Sequence, residues 1–313
     1  MYPEYLALPP GRRRWGYVLC FLLLALTEIC LGLYAEKQVR LYTTTGLRFA
    51  APLNEEQLVS VQEHQCGAEN EQQIYASFWG QTEKNVSAEY GRTAQQIICI
   101  GYSGNAGDCL PVKYLAGGAP GIVGKECSIS SPLAETLFGN NQVVGLYITA
   151  DQQIFRITGV FSAGEAILLY PTTEELYCAE LQGVSLDTPK ADVLTWCAAA
   201  GLPAPQTIVY GPQRIWFARC LSIIPLLLVG MAGLVTLLRC TTSWPTLIRN
   251  GIWFALVLAL ALMLPTLLSC LPGWLIPSRW SDFSFWQVLA DEIRQNRLSW
   301  ENGVHYWRDW GKF

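Results

Sequence analysis

Few residues in this 313-residue chain have the types and spacing that chemistry requires. Ala119 to Glu126, APGIVGKE, imitates the loop that cradles nucleotide phosphates on its backbone amides and holds magnesium through a Ser or Thr. Ala119 stands where the first glycine is required and Glu126 where the hydroxyl is required, so the match fails. Gly101-Tyr102-Ser103-Gly104-Asn105 approaches the turn that exposes a nucleophilic serine. Asn105 replaces its last glycine, and no histidine is placed to serve Ser103. The acid pairs Glu55-Glu56 and Glu174-Glu175 read as solvated faces rather than general acid–base pairs. Asn85-Val86-Ser87 is a glycosylation sequon, of consequence only in a eukaryotic secretory pathway.

Cysteine is the remaining reactive type. Cys66, Cys99, Cys109, Cys127, Cys178 and Cys197 fall in one polar block. An even number there suits up to three disulfides, with 15 possible pairings, and at least one is expected. Zinc is disfavoured, because there is no C-x2-C pair and His64 and His305 are isolated. No catalytic, cofactor-binding or metal-binding residue is assigned.

Three apolar segments flank and follow that block, at 16–34, 215–238 and 251–276. Each reaches the ~20 residues that cross ~30 Å of hydrocarbon as a helix, and such a helix satisfies its own backbone hydrogen bonds in lipid. The expected architecture is three transmembrane α-helices with a large mixed α/β extracytoplasmic domain, 35–214, between the first and second. Arg12, Arg13 and Arg14 precede the first segment and hold residues 1–15 in the cytoplasm. The loop 239–250 is then cytoplasmic and the tail 277–313 outside. Arg214 and Arg219 flank the second segment on its outer side, so the charge bias is not clean. A retained first span is expected rather than a cleaved signal, since no A-x-A-like site is clear near Ala35. Glu28 is the one intramembrane polar residue singled out; a contact inside a helix bundle would offset its cost in lipid.

The block from Ala35 to Arg214 holds 10 Lys/Arg and 18 Asp/Glu, a difference of −8, against −4 for the whole chain. An acidic block does not suit nucleic acid, whose phosphates demand basic patches. Within it, Asn54 and Gln57 bracket a helix start reaching His64. Ile74–Trp79, Gln96–Ile100, Ala166–Tyr170 and Gln206–Tyr210 read as strands. Ser131 and Pro132 open a short helix that Gly139 ends. Val143–Ile148 and Ile154–Val160 form a hairpin around Ala150-Asp151-Gln152, and Thr188-Pro189 starts a helix running to Gly201.

One stretch carries a resemblance. From Cys127 the chain reads CSISSPLAETLFGNNQVVGLYITADQQIFRITGVF. It resembles the periplasmic core domain of MacB-type (MacB/FtsX-like) ABC transporter permeases. The matching residues are Ile129-Ser130, Leu133-Ala134, Leu137-Phe138-Gly139, Val143-Val144-Gly145 and Phe155 to Val160. The resemblance implies a strand, a helix and a hairpin in that order. It also implies a multi-pass permease subunit in the cell membrane that is not itself an enzyme and needs no cofactor. The implied partners are a cytoplasmic ABC ATPase, a second permease-like chain or a homodimer, and membrane lipid. Export of peptide, lipid or drug would be the work. In such permeases the inner loop meets the ATPase, which here points to Arg239, Ser243, Trp244, Leu247 and Arg249 as a coupling loop. The family has four spans where this chain shows three. In place of the fourth stands an aromatic amphipathic tail, with Phe283, Trp286, Leu289 and Ile293 on one helical face. Trp280, Trp286, Trp300, Trp307 and Trp310 suit a membrane interface. The alternative reading is a membrane-anchored binding or sensing protein that reuses the domain without transport.

Overall fold

The computed structural model describes residues 10–67, 74–89, 91–121, 125–241, 245–269, 271–277, 279 and 283–310. In chain order the elements are α1 (Pro10–Leu41), β1 (Thr45–Arg48), α2 (Glu55–Gly67), β2 (Tyr75–Ala88), β3 (Thr93–Ser103) and α3 (Ala106–Cys109). Then come β4 (Tyr114–Gly117), β5 (Glu126–Ser130), α4 (Ser131–Phe138), β6 (Tyr147–Ala150), β7 (Gln153–Phe161) and β8 (Ile167–Pro171). Last are β9 (Cys178–Gln182), α5 (Pro189–Ala199), β10 (Thr207–Tyr210), α6 (Gly211–Thr241), α7 (Thr246–Ser269) and α8 (Phe283–Asn302). A single 3-10 turn at Trp307–Trp310 follows α8. The chain forms two units, one of Met1–Arg40 with Gln213–Leu275 and one of Leu41–Pro212 with Ile276–Phe313.

The first unit is helical. Within α6 and α7, Gly211–Thr236 and Thr246–Met263 are long and apolar enough to cross a bilayer. Leu226, Leu227, Phe254, Val257 and Leu262 are exposed along them, which a helix in water would not leave uncovered. α1 is a 32-residue helix containing the whole 16–34 segment. α7 begins five residues before the apolar run expected at Gly251, because Pro245 suits a helix start and its carbonyl accepts from Arg249 N at 3.1 Å.

The second unit is built on one ten-stranded sheet, with order β10-β1-β9-β2-β3-β8-β5-β7-β4 and β6 between β2 and β7. β2 is the hinge of this topology. Its first residues pair with β9, Tyr75 opposite Gln182, while its last pair with β6, Val86 opposite Ala150. β3 pairs along its other edge from Phe78 to Ser87. The pairings β2-β3-β8-β5-β7-β6-β2 therefore close a ring of six strands. Closure removes exposed edges, and the ring holds one apolar cluster that includes Ile97, Cys99, Cys127, Ile129, Leu137, Ile148, Ile157 and Leu168. β10, β1 and β9 extend beyond the ring under α2 and α5, around Leu47, Phe49, Val61, Val193 and Trp196.

Local chemistry sets several boundaries. Asn54 Oδ1 accepts from Gln57 N at 2.8 Å and Gln57 Oε1 from Asn54 N at 2.9 Å, a reciprocal cap that starts α2 as expected. Gly139 closes α4 in the left-handed region at φ 78°. Asp151 and Gln152, at φ 45° and 66°, make the tight turn of the β6–β7 hairpin. Two caps differ from expectation. The residue before α4 is Ser130, whose Oγ instead accepts from Ile167 N at 2.8 Å and ties β5 to β8. Thr188 makes no backbone cap either; its hydroxyl donates to Asp192 Oδ1 at 2.9 Å.

Candidate functional site

Where β1 and β9 pair, the sheet buries charge. Arg48 ends β1 and Glu180 lies in the middle of β9. Both are almost fully buried, as are Arg308 and Asp309 of the terminal 3-10 turn. Arg48 makes a forked contact with Asp309, Nη2 to Oδ1 at 2.5 Å and Nε to Oδ2 at 3.3 Å. Its Nη1 donates to Glu180 Oε1 at 3.1 Å. Arg308 pairs with the same Glu180 oxygen. The remaining Glu180 valences are met by Thr44 Oγ1, donating to Oε2 at 2.7 Å, and Trp79 Nε1, donating to Oε1 at 3.1 Å. Two cations thus meet two anions, and the group is neutral as a whole.

Neighbouring residues make room for this junction. A Cβ at Gly46 would stand 2.9 Å from Arg48 Nη1 and 3.1 Å from Glu180 Oε1. Arg48 and Arg308 flank the Trp79 ring, at 5.0 and 5.8 Å from its centroid. Trp307 N donates to Gln81 Oε1 at 2.7 Å, and Tyr306 stacks edge-on against Trp79 at 5.4 Å. Burial alone would push the Arg48 guanidinium down, but Cys178, Asp309 and Glu180 beside it together reverse that and hold it well above its usual value. Both carboxylates are engaged by guanidinium groups, and Glu180 also by the Thr44 hydroxyl and the Trp79 indole. The chemistry of the arrangement is adhesion: it fixes the end of the chain to the sheet from which α6 departs at Tyr210.

Sequence reasoning missed these four residues. The only signal was a charge inside each of two short strands, and neither strand was read. Their partners lie 261 and 128 to 132 positions away, and no periodicity links such distances.

The expected site residues fare differently. Arg239 lies in the last turn of α6, and Leu247 and Arg249 in the first turn of α7, with Leu247 84% exposed. Ser243 and Trp244 lie outside the described residues. Glu28 is exposed on α1. Trp307 is buried in the domain and Trp300 is half-buried against His305 at 4.6 Å, so neither suits a membrane interface. Trp280 lies outside the described residues, and Trp286 and Trp310 are exposed.

The disulfide expectation is overturned. Cys66, Cys99, Cys109, Cys127, Cys178 and Cys197 are all free. Cys66 is exposed, Cys99 and Cys127 share the ring, Cys197 lies under α5, and Cys109 and Cys178 share a third cluster around Trp79, with no two at disulfide distance. Desolvation raises all five buried thiols, Cys99 to about 12 and Cys197 to about 11, so they stay protonated and unreactive. Among the described residues no group of three or more His, Cys, Asp or Glu can hold a metal ion.

A groove of about 440 Å³ opens between Lys84 of β2, the β6–β7 turn and the loop that follows β8. Phe155 and Tyr170 contribute its apolar wall, and Lys84, Asp151, Glu174 and Glu175 its charges. Lys84 Nζ binds Asp151 at 2.8 Å and lies over the Tyr170 ring at 5.4 Å. The loop bearing Glu174 and Glu175 lies so close to β2 that a Cβ at Gly80 would stand 1.9 Å from the Glu175 carbonyl oxygen.

No family model and no curated protein matches the chain. Solved structures similar to it include three domains of membrane proteins. The extracellular domain of the ABC-type transporter YknZ from Gram-positive bacteria shares 15% identity, with 51% of this chain and 95% of that one covered, at a TM-score of 0.40. The periplasmic region of MacB from Actinobacillus actinomycetemcomitans shares 11%, with 55% and 90% covered, at 0.43. A permease-protein domain from Porphyromonas gingivalis shares 18%, with 50% and 78% covered, at 0.34. MacB is the type of permease that the Cys127–Val160 segment resembles.

Proposed function

We propose that this chain is a permease-like, non-catalytic subunit of an ABC transporter complex. Its helices α1, α6 and α7 cross the cell membrane, the sheet domain lies outside, and residues 239–250 face a cytoplasmic ATPase. The observation that carries this reading is the segment from Glu126 to Phe161. The strand, helix and hairpin that its motif residues imply are the elements β5, α4 and β6–β7, in that order. Leu133, Ala134, Leu137, Val143, Ile157 and Val160 of the motif all point into the ring cluster. The motif is thus the core of the domain.

Two connections join the ends of α1 and α6 to neighbouring strands: α1 leads into β1, and β10 leads into α6. β1 and β10 pair directly, Thr45 opposite Tyr210. Motion of either helix would therefore reach the sheet through adjacent hydrogen-bonded strands. Leu247, exposed beside Arg249 at the start of α7, is the residue we assign to contact with the ATPase.

Purification of the tagged chain from its native membrane in mild detergent, with mass spectrometry of what accompanies it, tests the reading. A stoichiometric ABC ATPase that is lost with Leu247→Glu is expected. Recovery of the chain alone, or with a signalling partner only, overturns it in favour of an anchored binding or sensing protein. The groove beside Lys84 is the feature that favours this second reading, since such a domain would need a place for a ligand.

A further inference from the structure

The helix α8 has 20 residues and buries none of them. An isolated amphipathic helix of this length is marginal in water, and most helices gain their stability by covering an apolar face. One flank of α8 meets the sheet domain. Phe285, Leu289, Asn296, Ser299 and Trp300 are half-buried. Lys190 of α5 pairs with Glu292 at 2.6 Å, and Thr207 of β10 donates to the Ser299 carbonyl at 3.3 Å.

The adjoining flank is bare. Phe283, Trp286, Ala290, Ile293 and Arg297 recur three and four residues apart, so they form one stripe along the helix, and all are exposed. Phe283 is 79% exposed and Ile293 52%. This is an aromatic and aliphatic band with an arginine at its far end, not an interrupted polar surface.

The chain itself says what lies nearby. Trp216 and Phe217 of α6 meet Trp274, just beyond α7, at 6.3 and 5.8 Å between ring centroids. Clustered aromatics at the ends of apolar helices mark the level of the lipid headgroups. From Leu275 to Phe283 is eight residues, which reach at most about 28 Å fully extended. The start of α8 is thereby tethered to Leu275 by a short length of chain. Its other end is pinned by the junction of Arg308 and Asp309 with Arg48 and Glu180.

We propose that the Phe283–Trp286–Ile293 stripe of α8 docks on the outer lipid headgroup surface, so that the helix is a strap between the sheet domain and the bilayer. The proposal rests on the reading that α6 and α7 span a membrane. After the pairs Lys190–Glu292 and Arg297–Glu301, the helix keeps one cation, Arg294, and one anion, Asp291. Docking accordingly relies on apolar insertion and needs no anionic lipid.

The test uses the full chain in nanodiscs of zwitterionic phosphatidylcholine doped with lipid carrying a shallow nitroxide. An environment-sensitive fluorescent amino acid is placed singly at Trp286, Ile293, Asp291 or Val257. Asp291 is the exposed control on another flank, and Val257, in the apolar run of α7, reports on the span with a deep nitroxide. Quenching at Trp286 and Ile293 about threefold above that at Asp291 is expected for an apolar face lying in the headgroup boundary. Equal, weak quenching at all three α8 positions, with Val257 still quenched, overturns the strap while leaving the spans intact. Protection of Trp286 by a second copy or another protein, seen as a crosslink to protein instead of lipid, overturns it as well. Loss of quenching at Val257 overturns the membrane reading beneath it.

Discussion

Arg48 and Asp309 are 261 positions apart in sequence and meet in a buried fork at 2.5 Å, joining the first strand of the sheet to the last turn of the chain. The contact makes the C-terminal tail part of the domain. In the permease reading, the tail that stands in place of a fourth span is held by a neutral cluster of four charges.

Removing one member should therefore cost more than removing a matched pair. Asp309→Leu leaves Arg48 buried without its forked partner, and a broken buried pair typically costs about 3–5 kcal/mol. Arg48→Met combined with Asp309→Leu restores neutrality and should recover part of that loss. Thermal unfolding of the three variants, with protease sensitivity of the tail, measures both. A double variant no more stable than Asp309→Leu alone would show that the cluster acts through packing and not charge balance.

The close approach of the 172–176 loop to β2 makes Gly80 hard to replace. A Cβ there meets the Glu175 carbonyl oxygen, which is backbone and has no rotamer in which to retreat. Gly80→Ala should destabilise by about 1–3 kcal/mol, the usual cost of overpacking. Gly164→Ala, where a Cβ meets nothing within 4 Å, is the control and should be near neutral in the same melts.

The buried thiols give a pH dependence. Burial raises Cys99 to about 12 from an ordinary 9.0. Below pH 9 the thiol is protonated in both folded and unfolded chains, and its contribution to stability is fully present. Between about 9 and 12 only the unfolded chain ionises, so stability falls as pH rises through that window. Melting temperature against pH should decline less steeply in Cys99→Ala than in the native chain.

Exposure separates Cys66 from the other block cysteines. A thiol reagent applied to the folded protein without reductant should label Cys66 and spare Cys99, Cys109, Cys127, Cys178 and Cys197. After denaturation all six should react. Failure of any pair to label in denaturant would reveal a disulfide and contradict the structure.

The cap of α2 offers a local test. Asn54→Ala removes the acceptor of Gln57 N and should cost about 0.5–2 kcal/mol. Hydrogen exchange over residues 55–58 should rise without a matching change in the ring strands.

What the sequence alone settled is what neighbouring residues decide between them. Asn54 and Gln57 start α2 because each side chain reaches the other's backbone amide three residues away. Gly139 ends α4 because it takes a positive φ without a Cβ to clash, whereas Asp151 and Gln152 adopt positive φ despite a Cβ because the two-residue turn between β6 and β7 demands it. The two long apolar runs within α6 and α7 declare themselves by composition. The motif from Cys127 to Val160 was legible because its strand, helix and hairpin are contiguous. β1, β4 and β9 were not read, being four or five residues long, and two of them are buried throughout or nearly so, which leaves no alternation to recognise. The closure of the ring by β6, the scattering of the cysteines among three clusters and the Arg48–Glu180–Arg308–Asp309 junction were decided by the tertiary structure alone. Each depends on which distant segments share a neighbourhood, and a charge or thiol in a sequence carries no record of the partner that folding brings to it.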